Sequence, residues 1–345
     1  MQEAQSSPAR ARVLLTRCIG MIGVGVAMVA CSDATTAPEL SSTNALLVAA
    51  TALTHPVGIV GTQVPLGGGP WGVDVSSTGV VYVTQLFSNQ VAVSSITGQT
   101  ITGEVSVGTA PTAVAFSPDG RTAYVTNQLD GNVGVINVAT GVQTATIPLP
   151  GANPFAVVAS PDGTQIFISS NQTSVYVADA HTLAIVDAIP VGDAPNAFAL
   201  SPNGKDFFVS SFVGGTVTEF NIASHAVVRT YVTGGTPQGL TTNKKGTELY
   251  VANENGFVTL FSTTTGAVLA TLPLAGGGFG AAVTPDDNHL YIAEPGPGLV
   301  QLIDLQNRKL KSTINVGGSP RRIAFSSQGK VGVVTNQAGY ISFIK

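Results

Sequence analysis

Two glutamates, Glu254 and Glu294, follow or close similar apolar segments about forty residues apart, and Asp130 occupies a comparable place earlier in the chain. Carboxylates brought together from separate segments could hold a cation or act as an acid and base pair, although their sequence spacing alone fixes no distance. Solvated loop charge is the competing reading for each. The four histidines do not reinforce the catalytic one. His181 and His225 fall in loops and His289 in a turn, all assigned to connections away from those that carry the carboxylates, while His55 precedes the repetitive region. Zinc centres and histidine-dependent lyases or hydrolases need such groups to converge. Neither a CxxCH haem site nor a phosphate-binding glycine loop occurs, so the sequence calls for no metal and no cofactor.

The 345-residue chain is 44% hydrophobic and 10% charged, with 40 Gly and 20 Pro, the profile of many short strands joined by turns. Its only cysteines, Cys18 and Cys31, lie near the N-terminus, so no disulfide or thiolate site is expected beyond them. There, Arg10, Arg12 and Arg17 precede the apolar run CIGMIGVGVAMVA (18–30), too short for the ~20 residues of a spanning helix. This reads as an export signal over 1–30. The AMVACSD ending resembles a bacterial lipoprotein signal, which implies lipidation of Cys31; cleavage after Ala34 is the alternative. Residues 31–56, rich in Ser, Thr and Ala, read as a tether. The resemblance implies an extracytoplasmic protein anchored in the bacterial envelope, and Ser32 resembles an outer-membrane sorting residue. Losing Glu3 and the three arginines from 19 acids and 15 bases shifts the net charge from −4 to −6, against unspecific nucleic-acid binding.

Residues 57–345 are organised by repetition. Segments such as APTAVAFSPDG (110–120), NPFAVVASPDG (153–163) and APNAFALSPNG (194–204) align on anchors at 70, 111, 154, 195, 237, 278 and 320, spaced 41 to 43 residues. Four short apolar runs per unit, seven times over, predict an all-β, seven-bladed β-propeller of four-stranded blades. Within one unit the strands read TAVAF (112–116), TAYVTN (122–127), NVGVINV (132–138) and VQTATIPL (142–149). The SPDG segment suits a hairpin turn: proline presets φ, aspartate bonds the backbone and glycine accepts a left-handed conformation. Asp119 and Asp162 are therefore assigned to turns, not chemistry. The last unit stops at its third strand, GYISFIK (339–345), whereas VGIVGTQVPLGGGP (57–70) reads as a fourth strand. The N-terminal strand is thus expected to complete the last blade and close the ring.

AYVTN (123–127), LYVAN (249–253), LYIAE (290–294) and GVVTN (332–336) resemble the YVTN-repeat family of β-propellers. That resemblance implies fold and compartment but no ligand. It is compatible with a non-catalytic scaffold binding an unknown protein or envelope ligand as a monomer. A hydrolase or lyase similar to the propeller lactonases or streptogramin lyases is the alternative, and its mouth carboxylates would have to do the chemistry.

By analogy with propellers, ligands meet the rim where the chain enters each inner strand. The residues after the anchors, Trp71, Thr112, Phe155, Asn196, Gln238, Phe279 and Arg321, differ although their neighbours repeat, as expected for one asymmetric site on a repeated scaffold. Trp71 could stack a sugar or planar ligand; alternatively Trp71, Phe155 and Phe279 seal gaps between blades. The second place after the anchor is Gly or Ala in six units and Arg322 in the seventh; the fourth place is Asp74 in unit one. Since units one and seven become neighbours on closure, Arg322 and Asp74 are expected to lie close together, locking the ring or binding an anion. Arg308, Lys309 and Lys311 on an outer strand read as edge protection against strand addition.

Overall fold

The hairpin turn recurs with its bonds intact. In 116–122 the Ser117 hydroxyl donates to Asp119 Oδ1 (2.6 Å), which also accepts from the Arg121 N–H (3.0 Å). Gly120 closes the turn at φ 67°. Ser160 with Asp162, and Ser201 with Asn203, repeat this arrangement. These bonds account for Asp119 as architecture, and the Ser117 hydroxyl holds its carboxyl below the usual range.

The computed structural model describes residues 60–170, 172–327 and 329–345; the export signal, Cys31 and the tether lie outside them. The described residues form seven antiparallel four-stranded sheets, with no helix among them. Six sheets are meanders of consecutive strands, as in Pro111–Phe116, Thr122–Asn127, Asn132–Asn137 and Val142–Pro148, with the first strand innermost. In the seventh, the Val60–Pro65 strand pairs with Tyr340–Ile344, matching Val64 to Ile341 and Pro65 to Tyr340. The ring closes as the truncated last unit requires, leaving no blade one strand short.

The second strand of each blade is buried on both faces, which is why its sequence lacks a polar alternation. Phe207, for example, stacks between Phe167 of the preceding blade (4.3 Å between centroids) and Phe220 of its own (5.2 Å). Outer strands such as Ile185–Pro190 are largely exposed.

Two features aim side chains at the axis. Six inner strands begin at a proline, and each shifts register immediately after it. Proline has no N–H to give the ladder, so pairing resumes only beyond a bulge that redirects the next residue. The motif asparagine then pins the entering loop. Asn253 Oδ1 accepts from the Thr236 N–H (3.0 Å) and its Nδ2 donates to the Gly234 carbonyl (2.7 Å); Asn336 does the same for Ser319 and Gly317.

Candidate functional site

Behind the mouth runs a belt of hydroxyls from the motif's Thr or Ser. Thr335 accepts the Arg322 N–H (3.0 Å) and donates to the Trp71 carbonyl (2.6 Å), tying the last blade to the first. Ser169 likewise accepts from Ala156 and donates to the Asn196 carbonyl (2.8 Å). The belt lacks a hydroxyl in blades five and six, where Ala252 and Ala293 take the position. Arg322 supplies a donor for one carbonyl so left open: its Nη1 reaches that of Phe279 (3.2 Å), which a hydroxyl at position 252 would face, and also that of Gln238 (3.1 Å). Close approach sets the residue type one place along. A Cβ on Gly280 would lie 2.4 Å from the Arg321 carbonyl oxygen, and one on Gly239 would lie 2.6 Å from that of Phe279.

On this belt the residues following the anchors converge. Trp71 and Phe279 meet edge to face at 5.5 Å, although a whole blade lies between theirs in the ring. Phe155, Leu86 and Ala110 pack around them. The aromatics therefore fill the axis itself instead of the gaps between adjacent blades. Arg321 lies against both rings, its guanidinium carbon 4.5 Å from the Trp71 centroid and 4.8 Å from that of Phe279. Its Nε and Nη2 donate to Gln337 Oε1. Arg322 lies over the Phe279 ring at 4.7 Å. Burial lowers the pKa of both arginines, that of Arg322 to about 10 with Arg321 adding repulsion.

Several polar atoms of this ring have no partner. Trp71 Nε1, Asn196 Oδ1 and Gln238 Oε1 are buried without a hydrogen bond. Gln238 Nε2 donates to Glu254 (3.0 Å). Glu254 is exposed at the rim, yet loss of surrounding water raises its pKa, opposed by Gln238, Arg321 and Arg322.

Other expected members are elsewhere. Asp74 and Arg322 form no ion pair: the only ion pairs among the described residues are Arg121–Asp119, His225–Asp187 and Arg308–Glu248. The Asp74 carboxylate instead accepts the main-chain N–H groups of Val75 (2.8 Å) and Phe116 (2.9 Å) at the inner edges of blades one and two. Inner edges have no further strand to bond, so a carboxylate satisfying them competes well with a guanidinium that already has two carbonyls. Burial raises Asp74 to about 6 against those two bonds. Glu294 is no loop charge. It ends the His289–Glu294 strand, is fully buried and accepts from the Gly276 N–H (2.5 Å). Asp130 is exposed and accepts from the Thr109 N–H (2.7 Å), fastening an entering loop. Thus Glu254 and Glu294 share no hydrogen-bond partner, and no group of three or more His, Cys, Asp or Glu able to hold a metal occurs among the described residues. His289 begins a strand instead of lying in the turn before it. Gln337 and the hydroxyl belt were missed by sequence reasoning; the Thr or Ser repeated before the motif's last residue was the available signal.

Comparison with known proteins agrees on architecture. Residues 150–247 match the family model of the YNCE-like beta-propeller. The uncharacterized protein YwhL of Bacillus subtilis (strain 168) is 25% identical over 232 residues, 63% of this chain and 49% of that protein. The chain therefore spans about half the length of that curated relative. A solved Kuenenia stuttgartiensis hydrazine synthase chain superposes with a TM-score of 0.75 at 23% identity, covering 81% of this chain and 96% of that one. At that identity the likeness is one of fold. The protein is a seven-bladed β-propeller with an aromatic and guanidinium cluster closing one end of its axis.

Proposed function

We propose that this propeller is a non-catalytic binding scaffold, anchored outside the cytoplasm through lipid on Cys31, that takes a protein or envelope ligand at the Trp71–Phe279–Arg321 mouth. The observation that carries this reading is that Trp71, Asn196 and Gln238, all at the position after the anchor, each bury a polar atom without a partner among the described residues. Each buried orphan costs about 1–3 kcal/mol unless water or a ligand meets it, so three at one repeated position supply polar groups that a ligand would satisfy. The variation of these residues on an otherwise repeated scaffold supports the same conclusion.

The mature protein should lose the same captured envelope component when either Trp71→Ala or Arg321→Ala is immobilised, while Lys205→Ala on the opposite rim retains it. Capture that is indifferent to both mouth substitutions removes the basis for the reading. The anchor has its own test: the intact mass of the mature protein should begin at Cys31 and carry added lipid. An unmodified N-terminus at Thr35 would instead mean ordinary cleavage.

A further inference from the structure

Below the aromatic mouth the axis widens into a cavity of about 190 Å3. That is far above the ~10–15 Å3 that one water needs. Every blade contributes to its wall through the residue three places after the anchor, from Val73 to Ile323. The remaining wall is mostly alanine, glycine and valine, and Arg322 is its one charged residue.

The orientation of that arginine decides what the cavity suits. Nη1 is engaged by the Gln238 and Phe279 carbonyls, whereas Nε and Nη2 make no hydrogen bond to the protein among the described residues. Those two N–H groups form the side-on fork that matches the two oxygens of a carboxylate. Among the described residues no carboxylate occupies it: Asp74 is committed to Val75 and Phe116, and Glu254 lies outside ion-pair distance while bonding Gln238. The ring adds main-chain donors. The Ala113 and Ser117 N–H groups bond toward the second strand while that of Phe116 turns to Asp74. By the alternation of antiparallel strands, Val114 and its six counterparts direct their N–H and C=O groups at the axis. The alanine and valine side chains between these polar groups leave room for a short alkyl body.

We infer that the axial cavity is a binding site for a small monocarboxylate, held by the Nε/Nη2 edge of Arg322 with its alkyl part among the alanines and valines. The site is separate from macromolecular capture at the rim, which can fail without affecting it.

Calorimetry with propionate tests it, using propionamide as the uncharged analogue and chloride and phosphate as other anions. The folded wild type should bind one propionate saturably and each of the other three at least about tenfold more weakly. Arg322→Lys, which keeps charge but loses the fork, should weaken propionate by about tenfold or more. Ala156→Leu should do the same by filling the cavity, with the arginine untouched. No saturable heat, equal binding of propionamide, chloride or phosphate, or unchanged affinity in folded forms of both variants each overturns the assignment. Because four titrations use the wild type alone, a variant that fails to fold does not shield it.

Discussion

A mature chain shortened to begin at Gly67 will melt roughly 10 °C below one that begins at Val57 and will self-associate. The lost strand, Val60–Pro65, is the outer member of the last blade. Leu66, just beyond it, is 5% exposed, packs with Val64 against Ile341 and Phe343, and donates its N–H to the Gly339 carbonyl (2.9 Å). Gln63 also reaches the Val316 carbonyl, from the blade before (3.2 Å). Burying one large aliphatic side chain is worth about 1.5–3 kcal/mol and each hydrogen bond about 1 kcal/mol, so the segment contributes at least about 4 kcal/mol. For a domain of this size that is roughly 10 °C. Removing it also bares the edge of Tyr340–Ile344, a template for another chain. Differential scanning calorimetry and light scattering read both effects. A shortened chain that stays monomeric and melts within about 2 °C of the longer one would mean that the seventh blade does not need this strand.

That closure was legible because a blade's strands and turns are local in sequence. The fourth-strand pattern appears once before the first anchor and is missing after the last third strand. The mouth ring was legible for a related reason, since Trp71, Phe155, Asn196 and Phe279 stand out only against repeated neighbours. Arg322 was not. Its place on the inner strand followed from the anchor alignment, but pairing it with Asp74 assumed that the arginine would reach across a two-residue offset, roughly 6.5 Å along the strand. Asp74 lies near the far end of its strand and meets main-chain N–H groups that every inner edge leaves open. Arg322 extends sideways to blades five and six, where it meets the Phe279 carbonyl left open by Ala252, which lacks the hydroxyl of other blades, and the Gln238 carbonyl beside it. Long flexible side chains obey such deficits in partners, and a repeat alignment displays them only once the bonds made by the other repeats are known. Glu294 is the same lesson in reverse: it occupies the motif's asparagine position, whose burial was disguised by its charge.

The Glu294→Gln variant should therefore be more stable than the wild type above neutrality, by about 2 kcal/mol at pH 8. Glu294 has no exposed surface; Oε2 accepts from Gly276, Oε1 has no partner, and burial raises its pKa to about 7 despite the Gly276 and Ala275 N–H groups. The native state thus holds the proton more tightly than the unfolded chain, whose glutamate titrates near its ordinary 4.5. The stability this provides is fully present below about 4.5 and is lost as pH rises to about 7, beyond which the deficit is constant. The interval corresponds to about 3 kcal/mol. Glutamine keeps an acceptor for Gly276 but never ionises; its amide nitrogen, left where Oε1 lacks a partner, offsets about 1 kcal/mol of the gain. Asp74, raised to about 6 by burial, has the same sign and declines in both proteins, so the difference between them isolates Glu294. Urea unfolding at pH 5 and pH 8 measures it. The gain should shrink as the wild-type carboxyl becomes protonated; a difference of the same size at both pH values would show that Glu294 carries its charge in the folded protein without penalty.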